Sequence, residues 1–206
     1  MDMIEVPTRW GGIPAQYHYL THSAAASKLA VLFPGQGYTL DAPVMWYVAR
    51  AAFDAGCDVI GVEYGYQANR AELDIDDIHY LAEEASGTLN NVITEQYSNM
   101  VFIGKSLGTM VQTEVLENVS FSVRSHVFLT PVPSVIPAIR DSKSALVVVG
   151  DSDSIFGESD IAQINNISQV GLCVIPGANH GLETKDYSSS IDILKQVAIW
   201  CGDFCR

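Results

Sequence analysis

Ser106 lies in the stretch Gly104-Lys105-Ser106-Leu107-Gly108, straight after the apolar run Met100-Val101-Phe102-Ile103 and straight before a helix-like stretch, Leu107 to Val119. A serine on a tight strand-to-helix turn presents its hydroxyl at the top of a sheet, where it can act as a nucleophile. The flanking glycines have a steric reason. Side chains two residues before and after the serine would collide with the neighbouring strand and helix. The chemistry this pattern could do is acyl transfer.

A serine hydroxyl needs a base, and the base needs an acid that fixes its tautomer. His180, in Gly177-Ala178-Asn179-His180-Gly181, is the only histidine after the candidate acids. His18 and His22 belong to the N-terminal region, His79 to a helix and His126 to a strand. The acid comes from Gly150-Asp151-Ser152-Asp153-Ser154, which follows the apolar run Ala145 to Val149. Asp153 is favoured, because its side chain can turn back from a few residues beyond a strand end. Asp151 remains the alternative, or caps the turn. Ser106, Asp153 and His180 then run in the order serine, aspartate, histidine.

Acyl transfer also needs two backbone N–H donors aimed at the developing oxyanion. Leu107, next to the serine, is one. The other is expected from Pro34-Gly35-Gln36-Gly37-Tyr38, after the strand-like Leu29 to Phe33, with Gln36 the favoured residue. A rival reading takes Gly35-x-Gly37, with Glu63 ending the next strand, as a dinucleotide-binding turn. Leu40 stands where that pattern needs its third glycine, which speaks against it. No metal and no organic cofactor is expected.

These groups need a scaffold that brings strand ends together. The chain alternates strand-like and helix-like stretches. Residues 1–20 read as two short strands around Trp10-Gly11-Gly12-Ile13-Pro14. Pro43 to Gly56 reads as a helix with Val44, Tyr47, Val48 and Ala51 on one face. Asp58 to Glu63 reads as a strand, and 75–97 as a helix, broken near Gly87. Asn99 to Ile103 and Ser125 to Thr130 read as strands, with Met110, Val111, Val115 and Val119 on the inner face of the helix between them. Ile161 to Ile167 reads as a short helix, Gly171 to Ile175 as the last strand, and Tyr187 to Trp200 as the final helix. Short strands apolar on both faces, separated by helices, imply a doubly wound, mostly parallel α/β sheet with helices on both sides. Such sheets gather functional groups at the carboxyl ends of their strands.

Composition narrows the partners. The chain has 24 acidic against 11 basic residues, a formal net charge of −13, which disfavours nucleic acid and anionic membrane surfaces. No apolar run reaches membrane-spanning length, and the first residues lack the charged-then-apolar pattern of a secretory signal. Cys57, Cys173, Cys201 and Cys205 read as buried free thiols. A cytoplasmic, single-domain chain over 1–206 is the expectation.

Taken in order, Pro34-Gly35-Gln36-Gly37, Gly104-Lys105-Ser106-Leu107-Gly108, Gly150-x-x-Asp153 and His180 resemble the α/β-hydrolase family over about residues 29–201. The chain is most similar to small members near the dienelactone hydrolases, although those commonly carry cysteine where this chain has Ser106. The resemblance implies Ser106 as nucleophile, Asp153 as acid, His180 as base, and the Gln36 and Leu107 amides as the oxyanion hole. It implies a serine hydrolase acting on a small carboxylic ester or thioester. A peptidase, an acyltransferase, or a binding protein that keeps the fold without catalysis are the alternatives.

The family often inserts a cap between the strand ending here at Thr130 and the next. Only Pro131 to Ser144 is available, stiffened by Pro131, Pro133 and Pro137. An open, capless site is expected. Val132, Val135 and Ile136 either line an acyl pocket or cover the sheet. Lys105 is expected to be solvated or paired with an acid, or else to attract a substrate carboxylate. Tyr38 is expected to flank the entrance or hydrogen-bond a substrate.

Overall fold

Strands β1 (Asp2–Val6), β2 (Ala15–Leu20), β3 (Lys28–Phe33), β4 (Cys57–Gly61), β5 (Asn99–Lys105), β6 (Ser125–Leu129), β7 (Ser144–Gly150) and β8 (Val170–Ile175) form one sheet. Its order is β1-β2-β4-β3-β5-β6-β7-β8. The computed structural model describes residues 2–93 and 97–206. β1 and β2 form an antiparallel hairpin, β2 runs antiparallel to β4, and the other pairs are parallel.

The central strands β3, β4 and β5 are buried almost end to end, as runs apolar on both faces require. One face is covered by α1 (Pro43–Asp54) and α7 (Tyr187–Phe204), which pack Val48, Ala52, Val197 and Cys201 onto Leu32, Val59 and Ile103. The other is covered by α3 (Ile78–Val92) and α4 (Leu107–Asn118), whose Leu81, Ala85, Val111 and Val115 meet Val31, Phe33 and Phe102. Two shorter helices, α5 (Ile136–Asp141) and α6 (Glu158–Ile164), cover Phe128, Val147 and Val149 at the β6–β7 side.

Register decides what the carboxyl ends place side by side. Phe33 pairs with Gly104, so the turn after β3 lies against the residues that follow β5. Lys105 pairs with Leu129 and Gly150 with Ile175, so the loops after β6, β7 and β8 open on the same edge.

Several expectations need correction. Tyr47 is exposed, and α1 turns Met45 and Ala52 inward with Val44 and Val48 instead. α3 runs through Gly87 unbroken, because packing of Leu81, Ala82, Ala85 and Leu89 outweighs the roughly 1 kcal/mol that an exposed glycine costs a helix. The last expected residues of that helix, 94–96, lie outside the described residues. α6 begins and ends three residues earlier than Ile161 to Ile167, where the Asp160 side chain accepts the Gly157 N–H at the helix start. α7 continues to Phe204, burying Cys201. α2 (Gly65–Ala68) and α5 were not anticipated. Val135 and Ile136 are buried against the sheet, and Val132 packs beside them, so this segment covers the sheet rather than capping the edge above it.

Candidate active site

The chain passes from β5 into α4 through a single residue, Ser106, with φ 52° and ψ −116°. This left-handed backbone costs about 1–3 kcal/mol and persists only where the surroundings enforce it. Here the Ser106 N–H donates to the Leu129 carbonyl at 3.0 Å, and its own carbonyl accepts the Thr109 N–H at 2.8 Å. The flanking glycines are required by close approach. A Cβ on Gly104 would stand 2.5 Å from the Gly108 carbonyl oxygen, and one on Gly108 only 2.0 Å from that of Phe33.

Ser106 Oγ lies 2.8 Å from His180 Nε2. His180 Nδ1 lies 2.8 Å from Asp153 Oδ2 and 3.0 Å from Oδ1. Nδ1 therefore carries the proton that Asp153 accepts, which leaves Nε2 with a lone pair for the serine hydroxyl. Burial would raise the Asp153 carboxyl, but hydrogen bonds from His180 and from the Ile155 and Phe156 N–H groups hold it below the usual carboxylate range. Asp151 does something else. It is exposed, and its Oδ1 accepts the Gly177 N–H at 2.6 Å, bracing the loop after β8. A Cβ on Gly150 would fall 1.9 Å from the Ala178 carbonyl oxygen, so the acid and base loops touch main chain to main chain.

The turn after β3 is closed by Gly35 N–H donating to the Tyr38 carbonyl at 2.9 Å. Its outer carbonyls are all held. Gln67 Nε2 donates to Gly35 O at 2.9 Å, Tyr66 OH to Gln36 O at 2.7 Å, and Tyr64 OH to Pro34 O at 3.2 Å. A trans peptide points its N–H opposite its carbonyl, so fixing Gly35 O aims the Gln36 N–H away from Gln67. The Leu107 N–H is one of the unpaired donors of a helix first turn. Among the described residues neither N–H has an intramolecular acceptor. The dinucleotide reading lacks its structural context. No helix opens at Gly37; α1 starts at Pro43, and Leu40 packs on Gly61 instead.

Sequence reasoning missed Tyr66 and Gln67 and left Tyr64 unassigned. The one available signal was their position just past the carboxyl end of β4. Glu63 faces elsewhere, accepting the Gln16 N–H at 2.6 Å. Lys105 is also misjudged. It is 2% exposed, and Nζ donates to Thr130 Oγ1 and to the His180 carbonyl, each at 3.0 Å. The strand's last side chain points beneath the elbow, where neither solvent nor an acid within 4.0 Å is found among the described residues. Tyr38 lends its ring face to Lys105 at 4.6 Å and its hydroxyl oxygen to the Val44 N–H at 3.1 Å.

Gln36, Gly37, Tyr66 and Leu73 line an open cleft of about 550 Å³ beside the turn. A larger groove of about 640 Å³ between α1 and α7 includes none of these groups. Among the described residues, no three His, Cys, Asp or Glu side chains are grouped to hold a metal ion, and no helix is long and apolar enough to cross a membrane.

The chain belongs to the α/β-hydrolase family: the family profile "Alpha/beta hydrolase domain" matches residues 26–204. No curated protein matches the sequence significantly. Among solved structures, an α/β serine hydrolase homologue from Coxiella burnetii is 17% identical with a TM-score of 0.69, covering 96% of this chain and 95% of its own. An α/β serine hydrolase without lid from Xanthomonas campestris is 17% identical with a TM-score of 0.66, covering 95% and 91%. An esterase of Pyrococcus furiosus is 12% identical with a TM-score of 0.72, covering 98% and 90%. At these identities the likeness is one of fold: the α/β-hydrolase fold without a lid.

Proposed function

We propose that this protein is a serine hydrolase that cleaves a carboxylic ester or thioester of a small substrate through an acyl-enzyme. The observation that carries the reading is the continuous relay from Ser106 Oγ through His180 to Asp153, with contacts of 2.8 Å on either side of the imidazole. That some proteins of this shape are named esterases supports it.

His180 Nε2 takes the Ser106 proton as Oγ attacks the acyl carbon. Asp153 keeps the imidazolium oriented and stabilises its charge. The Gln36 and Leu107 N–H groups hold the oxyanion of the tetrahedral intermediate. His180 then protonates the leaving oxygen or sulfur, and the acyl group stays on Ser106. A water, deprotonated by His180, attacks the ester, and collapse returns the proton to Oγ and releases the acid. The lidless edge suits short or exposed acyl groups.

The test is intact mass with peptide mapping after exposure to a fluorophosphonate. One adduct, on Ser106, is expected, and none on a folded Ser106→Ala protein, whose ester turnover should fall by roughly 10^4-fold or more. No adduct on folded wild-type protein overturns the reading.

A further inference from the structure

We propose that Lys105 is a positioning residue: by donating from Nζ to the His180 carbonyl, it fixes the main chain that carries the imidazole over Ser106. The inference rests on the hydrolase reading for its consequence in turnover, but the contact it names stands on geometry alone.

Lysine is almost never fully buried unless paired with an acid. Lys105 is 2% exposed, and no carboxylate lies within 4.0 Å of it among the described residues. Its three N–H donors have matched partners instead: Thr130 Oγ1, His180 O and the Tyr38 ring face. These belong to the segments that follow β6, β8 and β3, so one ammonium ties together three of the loops that surround Ser106. Thr130 adds weight. It is β-branched, yet holds φ at 41°, a conformation such residues avoid, and its hydroxyl meets Nζ there.

The target of the bond matters most. The His180 side chain is held by Asp153 and by Ser106, and the contact to Ser106 changes as the proton moves between Oγ and Nε2 during turnover. Its main chain is held by Lys105 from below, through a bond that need not change. Around it the loop makes its own turn contacts, Asn179 N–H to Glu183 O at 2.9 Å and Leu182 N–H to Asn179 O at 2.9 Å, and is joined to the acid loop further back, by Ser152 N–H to Ala178 O at 3.1 Å and Gly177 N–H to Asp151 Oδ1 at 2.6 Å. A thioether of similar length in place of Lys105 would fill the space and leave the carbonyl without a donor.

Burial lowers the Lys105 ammonium to about 8, against the opposing pull of Asp153 and Glu183. The groups facing it are Tyr38 from the β3–α1 loop, Thr130 after β6, Asp153 after β7, and His180 and Glu183 after β8. Tyr38 is raised by its own burial and stays protonated in this range. Losing the ammonium charge weakens its hydrogen bonds, so turnover should decline as pH rises through about 8.

The experiment compares wild type, Lys105→Met and Thr130→Val by fluorophosphonate labelling rate, by kcat and KM on a short-chain ester, and by the downfield Nδ1 proton of His180 in NMR spectra. Lys105→Met should cut labelling and kcat by about 10^2-fold with KM within about twofold, lose the alkaline decline, and shift or broaden the Nδ1 proton. Thr130→Val, which removes one anchor of Nζ, should cut kcat by less than tenfold in the same pattern, and it decides if Lys105→Met does not fold. Folded Lys105→Met that labels at the wild-type rate with an unmoved Nδ1 proton overturns the inference. Unlabelled wild type overturns the hydrolase reading instead, and the Nδ1 proton of the two proteins then decides for Lys105 alone.

Discussion

Among the described residues stand two histidine–aspartate pairs, one at each end of the sheet. At the carboxyl ends, His180 Nδ1 stands 2.8 Å from Asp153, with side chains 22% and 0% exposed. At the opposite end, His22 Nδ1 stands 3.1 Å from Asp58, with side chains 30% and 7% exposed. By distance and burial the two are near equals. Their surroundings differ. Asp58 also accepts the His22 N–H at 2.8 Å and the Tyr97 hydroxyl at 2.7 Å, and Tyr97 in turn meets Tyr19 at 2.6 Å. Burial, with Tyr19 and Asp58, pushes the Tyr97 hydroxyl well up, so it remains a donor. The His22 ring stacks on Phe53 with centroids 4.0 Å apart. There the Asp58 carboxylate is spent on joining the β2–β3 loop and Tyr97 to the start of β4. At the other end, the imidazole faces a serine on a strained turn, beside two N–H donors that the fold leaves unpaired. An imidazole–carboxylate pair thus becomes a site through what it faces.

That contrast is broken or sharpened most strongly by the two acids. Asp153→Asn should lower kcat by about 10^4-fold, because the imidazole loses its tautomer and charge support. Asp58→Asn and Asp151→Asn should leave kcat within about threefold. Asp58→Asn should instead cost about 1–3 kcal/mol of stability, for a buried acceptor of several hydrogen bonds. Ester turnover and denaturant melts on the same preparations separate the two effects. A large kcat loss in Asp58→Asn would erase the distinction.

A third imidazole shows the effect of burial without a carboxylate. His126, on β6 between Phe102 and Phe128, is lowered to about 4 by burial. Its unfolded value is near 6.5, so between these values the unfolded chain binds the proton and the folded chain does not. Stability should therefore fall as pH drops from about 6.5, by about 3 kcal/mol on reaching pH 4. Thermal melts across this range measure it, and His126→Phe should flatten the slope. Asp153 acts in a lower window: its depressed carboxyl stabilises the fold above its unfolded value, and that contribution is lost as pH falls through the folded one. The smallest effect belongs to the turn after β3. Gln67→Ala frees the Gly35 carbonyl and should lower kcat/KM about tenfold by loosening the Gln36 N–H, a fraction of what losing such a donor costs. Unchanged kcat/KM would mean the turn is held by its own closure and the two tyrosines.

What was readable in the sequence tracks the range of the forces involved. The glycines around Ser106 are dictated by main-chain collisions within one turn, so the motif announces them. Strands apolar on both faces announce a sheet covered on both sides, and that is the fold observed. α2 and α5 escaped because helices of four and six residues carry too little period to register. Tyr47 was placed inward because the helix was phased one position off; Met45 takes the buried place. Gln67 and Tyr66 act across space on a turn some thirty residues earlier, and no local pattern marks such a contact. Lys105 was misread because a charge suggests solvent, and only the assembled loops offer it two oxygens and a ring.

The position of β8 has a consequence for how the protein comes apart. β8 is the outermost strand, paired on one side only, with Val174 exposed and Cys173 half-buried. Edge strands open at lower cost than the sheet centre. The segment that leaves with β8 carries His180, while Ser106 and both N–H donors stay on the interior strands. Peeling of this one strand would carry the imidazole away from the serine while most of the amide protons remain protected from exchange. In a refolding chain, the return of serine reactivity would mark the moment when the last strand docks.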